Sequence, residues 1–112
     1  MCGITGIINL NQNRIDEGVI SSMTDAIAHR GPDGRGIFVD GNIAFGHRRL
    51  SILDVSENGS QPMHSKSKNW TIVFNGCIYN FKELKQELIN KGSSFTSTTD
   101  TEVIVEGLET YG

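Results

Sequence analysis

Residues 69–76, NWTIVFNG, place apolar side chains on both alternating faces of an extended chain: Trp70, Ile72 and Phe74 on one face, Val73 on the other. A strand that is apolar on both faces belongs between layers, not on a solvated surface. With 112 residues the chain is long enough to build such layers within one domain, residues 1–112, and a domain of that size buries roughly two-thirds of its unfolded surface. The remaining elements are read around this strand. CGITGIINL (2–10) is an apolar run of strand length, with two glycines where backbones approach closely. GIFVD and NIAFGHRR read as two more strands joined by a short Asp40–Gly41 turn. Asp16 is placed to cap a helix in which Val19, Ile20, Met23 and Ile27 recur at helical spacing.

HRGPDGRG (29–36) reads as loop, because Pro32 lacks a donor and three glycines permit positive φ. SENGSQPMHSKSKN (56–69) reads as a surface loop from its Ser, Asn, Gly, Pro and Lys content. Over 81–91, Phe81, Leu84 and Leu88 share a helical stripe that Gly92 ends. Asp100 or Thr99 caps a last helix with Ile104, Leu108 and Tyr111 on one face. The order β, α, several strands, α, α predicts an α+β chain, a sheet sandwich flanked by helices.

Charge and cysteine usage narrow the function classes. Ten Lys and Arg against 13 Asp and Glu give a net charge of −3. No basic stripe is available to neutralise phosphates, so nucleic acid and anionic membranes are not expected partners. No apolar run approaches the roughly 20 residues of a spanning helix, and the N-terminus lacks the basic region of a signal peptide. A soluble, cytoplasmic protein is expected. Two cysteines, Cys2 and Cys77, are too few for a disulfide framework, and neither has companions at metal-ligand spacing. No metal site is expected.

Cysteine at position 2 carries a specific chemistry. Removal of Met1 would expose the Cys2 α-amine, a group whose ordinary pKa of about 7.7–8.0 suits a base near neutral pH. One residue would then supply both nucleophile and base. By itself this is also the pattern of a buried, inert thiol.

Six motifs in one order bear on that choice: MCGITGI, HRGPDG (29–34), GHRRLSILD (46–54), QPM (61–63), FNGCIYN (74–80) and STTDTEV (97–103). Together they resemble the N-terminal glutaminase domain of class II glutamine amidotransferases over essentially the whole chain, and the asparagine synthetases are most similar. The resemblance implies an N-terminal-nucleophile hydrolase fold, an αββα sandwich, here incomplete at the C-terminal side. It implies that Cys2 attacks the side-chain amide of L-glutamine, giving a γ-glutamyl thioester and ammonia, and that water then releases glutamate. The oxyanion formed on attack would be held by the Asn75 side chain and the Gly76 backbone N–H. Arg49 would take the substrate α-carboxylate in a bidentate fork, with Ser51 and Ile52 lining the same edge through backbone groups. Asp100 would take the α-ammonium, with residue 77 beside it. Arg48 is expected to pair with a surface acid, Arg30 to brace its loop, and His29 to act as a structural hydrogen-bonder.

Cys77 departs from the family, which usually has Glu there. A hydrogen bond to a charged group contributes about 1.5–3 kcal/mol, so its loss would weaken glutamine binding or turnover roughly 10- to 150-fold. The resemblance implies no cofactor within these residues. ATP and magnesium are expected only in a synthetase domain or subunit, the partner that would receive the ammonia. A homo-oligomer is compatible with the sequence. The alternative function is a truncated, non-catalytic relative that binds glutamine or regulates. Asparagine synthesis is the favoured fate of the ammonia, with amidation of a sugar or natural product left open.

Overall fold

The computed structural model describes residues 2–51 and 57–112. It is an α+β structure of small sheets and three helices. Its contacts divide it into two compact units, one of residues 2–51, 60–62 and 73–75, the other of residues 57–59, 63–72 and 76–112.

The first unit is built on a three-stranded antiparallel sheet. Strands β1 (Gly3–Ile8), β2 (Gly34–Asp40) and β3 (Ile43–Arg49) lie in the order β1-β3-β2. Asp40 pairs with Ile43, so the hairpin turns on Gly41 and Asn42, one residue beyond the expected Asp40–Gly41. Gly41 sits at φ +57, the left-handed region that favours glycine. Residues 34–35, expected in a loop, open β2, because the β3 ladder continues to Gly34↔Arg49. Helix α1 (Glu17–Ala26) starts where Asp16 accepts a hydrogen bond from the Gly18 N–H at 2.8 Å. It packs on the sheet face carrying Ala44 and Gly46, where the fully buried Ile20 meets Ile15 and Ala44, with Ile7, Met23, Ile37 and Val39 packed around them. Burying a side chain such as Ile20 contributes about 1.5–3 kcal/mol. Gly46 has no room for a Cβ, which would collide with Thr24 Oγ1.

The alternation of β3 turns His47 and Arg49 to the sheet face opposite α1. Gln61 and Pro62 run over that face, and a Cβ on Gly36 would collide with the Gln61 carbonyl oxygen. Glycine at 36 is what permits this close crossing.

In the second unit, β4 (Met63–His64) pairs antiparallel with β5 (Thr71–Ile72). The strand expected over 69–76 is therefore only two residues long, and Trp70 is 38% exposed, not covered on both faces. The physical reason lies in its hydrogen bonds: beyond Ile72 the Phe74 N–H is taken by the Gln61 side chain at 2.6 Å and not by a neighbouring strand. The surface loop expected over 56–69 likewise contributes β4.

Helix α2 (Phe81–Asn90) ends as expected at Gly92, at φ +104, with the Ser93 N–H returning to the Leu88 carbonyl at 2.9 Å. Helix α3 (Asp100–Tyr111) is capped by Thr99, whose hydroxyl accepts from the Glu102 N–H at 3.3 Å. Its buried set is Asp100 to Val103, Val105 and Glu106. The expected apolar face, Ile104, Leu108 and Tyr111, instead lines an open groove with Leu84 and Leu88 of α2. Among the described residues no helix is long and apolar enough to cross a membrane.

Candidate active site

Cys2 immediately precedes β1, and the register Gly3↔Arg48 brings it beside the end of β3. Its Sγ accepts the Leu50 N–H at 3.3 Å and lies 3.7 Å from the Leu50 carbonyl oxygen, to which the thiol donates. The thiol is half-buried and held between the donor and acceptor of a single residue. Such a clamp fixes the sulfur's position while leaving it accessible, which a nucleophile requires.

The HRGPDG loop secures this corner from two sides. Arg30 Nε donates to the Cys2 carbonyl at 3.2 Å, so the arginine braces the backbone of Cys2 itself. Asp33 Oδ2 accepts the Ser51 N–H at 2.9 Å, and the Asp33 N–H returns to the Arg49 carbonyl at 2.9 Å. Gly31 lets the loop approach, since a Cβ there would collide with the Arg48 backbone.

Neighbouring arginines on a strand face opposite ways. Arg48 lies on the α1 side, where it reaches Asp25 at 3.8 Å and donates to the Gly31 carbonyl at 3.1 Å. Asp25 in turn holds Arg35 at 2.7 Å, and that hydrogen bond keeps its carboxyl below the ordinary carboxylate range. Arg49 is buried on the opposite face beside the backbone of Gly34. Its neighbour two positions back, His47, is 1% exposed, and neither ring nitrogen has a well-formed hydrogen bond among the described residues. Burial pushes its pKa below the ordinary 6.5, the Phe74 backbone draws it partly back, and the Arg49 charge lowers it further.

Asn75 is exposed at the end of the 73–75 segment of the first unit. The first unit thus holds Cys2, Arg49, Ser51 and Asn75, and the second holds Gly76, Cys77 and Asp100. Ile52 lies outside the described residues.

In the second unit, Asp100 is buried in the first turn of α3 and accepts the Ile78 N–H at 2.9 Å. It does not cap the helix, a role taken by Thr99. Its carboxylate ties the Gly76–Ile78 segment to the start of α3. Gly76 is exposed, and so is the Cys77 thiol. Glu102 underlies this arrangement: its carboxylate accepts from the Thr96 and Ser97 N–H groups at 3.0 and 2.8 Å and from the Ser97 hydroxyl at 2.6 Å. Further along α3, Glu106 accepts the Lys66 N–H at 2.9 Å, and burial pushes its carboxyl above the ordinary range. Among the described residues no cluster of His, Cys, Asp and Glu is arranged to hold a metal ion.

Sequence reasoning assigned no part to Asp33, Gln61, His47 or Glu102. All four stand in motifs already noted, and Glu102 follows Thr99 at the Thr-x-x-Glu spacing of a capping box. For the burial of His47 there was no local signal, because it is decided by segments distant in sequence.

With the clamped Cys2 thiol and the braced corner at Arg49 described, the chain can be compared with known proteins. The chain belongs to the glutamine amidotransferase domain family, whose model matches residues 1–112. Asparagine synthetase [glutamine-hydrolyzing] 1 of Bacillus subtilis is 46% identical over 114 residues, covering 99% of this chain and 18% of that protein. A putative asparagine synthetase [glutamine-hydrolyzing] 2 of Methanocaldococcus jannaschii is 43% identical, covering 95% of the chain and 23% of that protein. Amidase chry2 of Gibberella zeae is 33% identical, covering all of the chain and 18% of that protein. The chain thus spans less than a quarter of the length of these relatives.

Proposed function

We propose that this chain is the glutaminase part of an asparagine-synthetase-like amidotransferase. With Met1 removed, the Cys2 α-amine takes the thiol proton, and the sulfur attacks the side-chain carbonyl of glutamine. The tetrahedral oxyanion is held by Asn75 Nδ2 and the Gly76 N–H. Collapse breaks the C–N bond, the proton passes to the departing nitrogen, and ammonia leaves a γ-glutamyl thioester. Water, deprotonated by the same amine, attacks the thioester and returns the thiol and glutamate. Arg49 holds the substrate α-carboxylate, Ser51 and Ile52 line that edge, and Asp100 holds the α-ammonium. The fold that carries these steps is the αββα sandwich, and the ammonia passes to a synthetase domain or subunit. ATP and magnesium belong to that partner.

The observation that carries this reading is the thiol of Cys2, held at 3.3 Å from the Leu50 N–H at the end of β3. Asp100 Oδ2 accepts the Ile78 N–H at 2.9 Å, which fixes the carboxylate assigned to the ammonium. Cys77 favours a second reading, a glutamine-binding relative with impaired turnover, because an exposed thiol stands where the family carries a carboxylate.

Glutamate release from glutamine tests both. The chain with Met1 removed is expected to turn over, Cys2→Ala to be inert, and Cys77→Glu to lower KM roughly tenfold or more, the scale of one charged hydrogen bond. Turnover surviving in Cys2→Ala would sink the enzyme reading. Binding of glutamine without turnover by the Met1-free chain would establish the second.

A further inference from the structure

We propose that Gln61 is a positioning residue for Asn75, acting through the backbone of Phe74; this rests on the reading of Asn75 as an oxyanion donor. Within the first unit, Gln61 Oε1 accepts the Phe74 N–H at 2.6 Å. Among the described residues segment 73–75 has no strand pairing, so this side chain does for Phe74 what a neighbouring strand does elsewhere. The tether is itself anchored. The Gln61 carbonyl crosses directly over Gly36 of β2, and only the missing Cβ lets it lie there. Gly36 pairs with His47, whose fully buried ring stands on the same sheet face beside the Phe74 backbone.

Three residues distant in sequence thus converge on one peptide: glycine at 36, glutamine at 61 and the exposed Asn75 one residue after the tethered N–H. An oxyanion donor acts only if it is in place before charge develops, and a displacement of about 1 Å can cost on the order of a hundredfold in rate. A free segment ending in Asn75 would have to be ordered in each turnover. Gln61 supplies that order without touching substrate.

The test uses the full chain with Met1 removed, comparing Gln61→Met, Gln61→Glu, Asn75→Ala and the Gln61→Met/Asn75→Ala double variant. Gln61→Met keeps the side chain's length and removes the acceptor. It should lower kcat about 10- to 100-fold with KM changed less than about twofold. Gln61→Glu keeps an acceptor for the Phe74 N–H and should recover kcat to within about threefold. The double variant should be no slower than Asn75→Ala alone. Amide exchange at Phe74 should accelerate in Gln61→Met and stay slow in Gln61→Glu, a readout independent of turnover. Equal losses in Gln61→Met and Gln61→Glu, multiplying losses in the double variant, or unchanged exchange at Phe74 would overturn the proposal. An impaired Asn75→Ala beside a fully active Gln61→Met would refute the positioning role alone. Full activity in Asn75→Ala would refute the oxyanion reading on which it rests.

Discussion

His47 shows how a single residue can report the integrity of the sheet that Cys2 leads into. Its imidazole is buried on the face opposite α1, burial holds its pKa below the unfolded value near 6.5, and Arg49 adds to the depression. The unfolded chain therefore binds a proton that the folded chain resists. Stability from this group is present above the unfolded pKa and is lost as pH falls through the folded one. Urea midpoints measured from about pH 7.5 down to about pH 5 should fall more steeply for the wild type than for His47→Gln. Parallel pH profiles would show that His47 is not buried neutral. At this same scale the two arginines of GHRR separate. Arg48 is committed to Asp25 and the Gly31 carbonyl, whereas Arg49 lies on the face bearing His47.

Helix α3 departs from an ordinary amphipathic helix. It buries Glu102 and Glu106, one turn apart, where an apolar stripe would be usual, and leaves Ile104, Leu108 and Tyr111 along a groove. Glu102 gathers two backbone N–H groups and a hydroxyl from residues 96–97, which fixes the approach to Thr99 and Asp100. Glu102→Ala would leave those donors unsatisfied, and each such buried group costs about 1–3 kcal/mol. Thr99→Ala removes one cap, a loss of about 1 kcal/mol. Denaturant unfolding should therefore rank Glu102→Ala at about 2–4 kcal/mol, clearly below Thr99→Ala in stability. Equal losses would mean that the carboxylate serves only as a local cap. Thr99 and Glu102 also explain why the start of this helix was legible in STTDTEV while its buried face was not. Capping is local in sequence, whereas burial depends on Lys66 and other residues that only the fold brings near.

Across the described residues, the elements with local signals stand within a residue or two of where sequence places them. Asp16 starts α1, Gly41 turns the β2–β3 hairpin and Gly92 ends α2. What sequence overstated is the strand over 69–76, because alternation records which side chains are apolar and not which backbone groups find a strand partner. Here Phe74 finds the Gln61 side chain. The candidate site was legible as a set of residue types in six ordered motifs, and Arg30 as a brace, whereas the supports from Asp33 and Gln61 were not, since they act through hydrogen bonds to backbone far along the chain. Every step of the proposed reaction depends on Cys2 being the nucleophile at a free N-terminus. The direct measurement is to treat the chain with a glutamine-analogue electrophile, 6-diazo-5-oxo-norleucine, and map the adduct by mass spectrometry. The adduct should sit on an N-terminal peptide that begins at Cys2, with Met1 gone and the Cys77 peptide unmodified. Modification of Cys77 alone, or an unmodified Cys2 in a chain shown to lack Met1, would contradict the account.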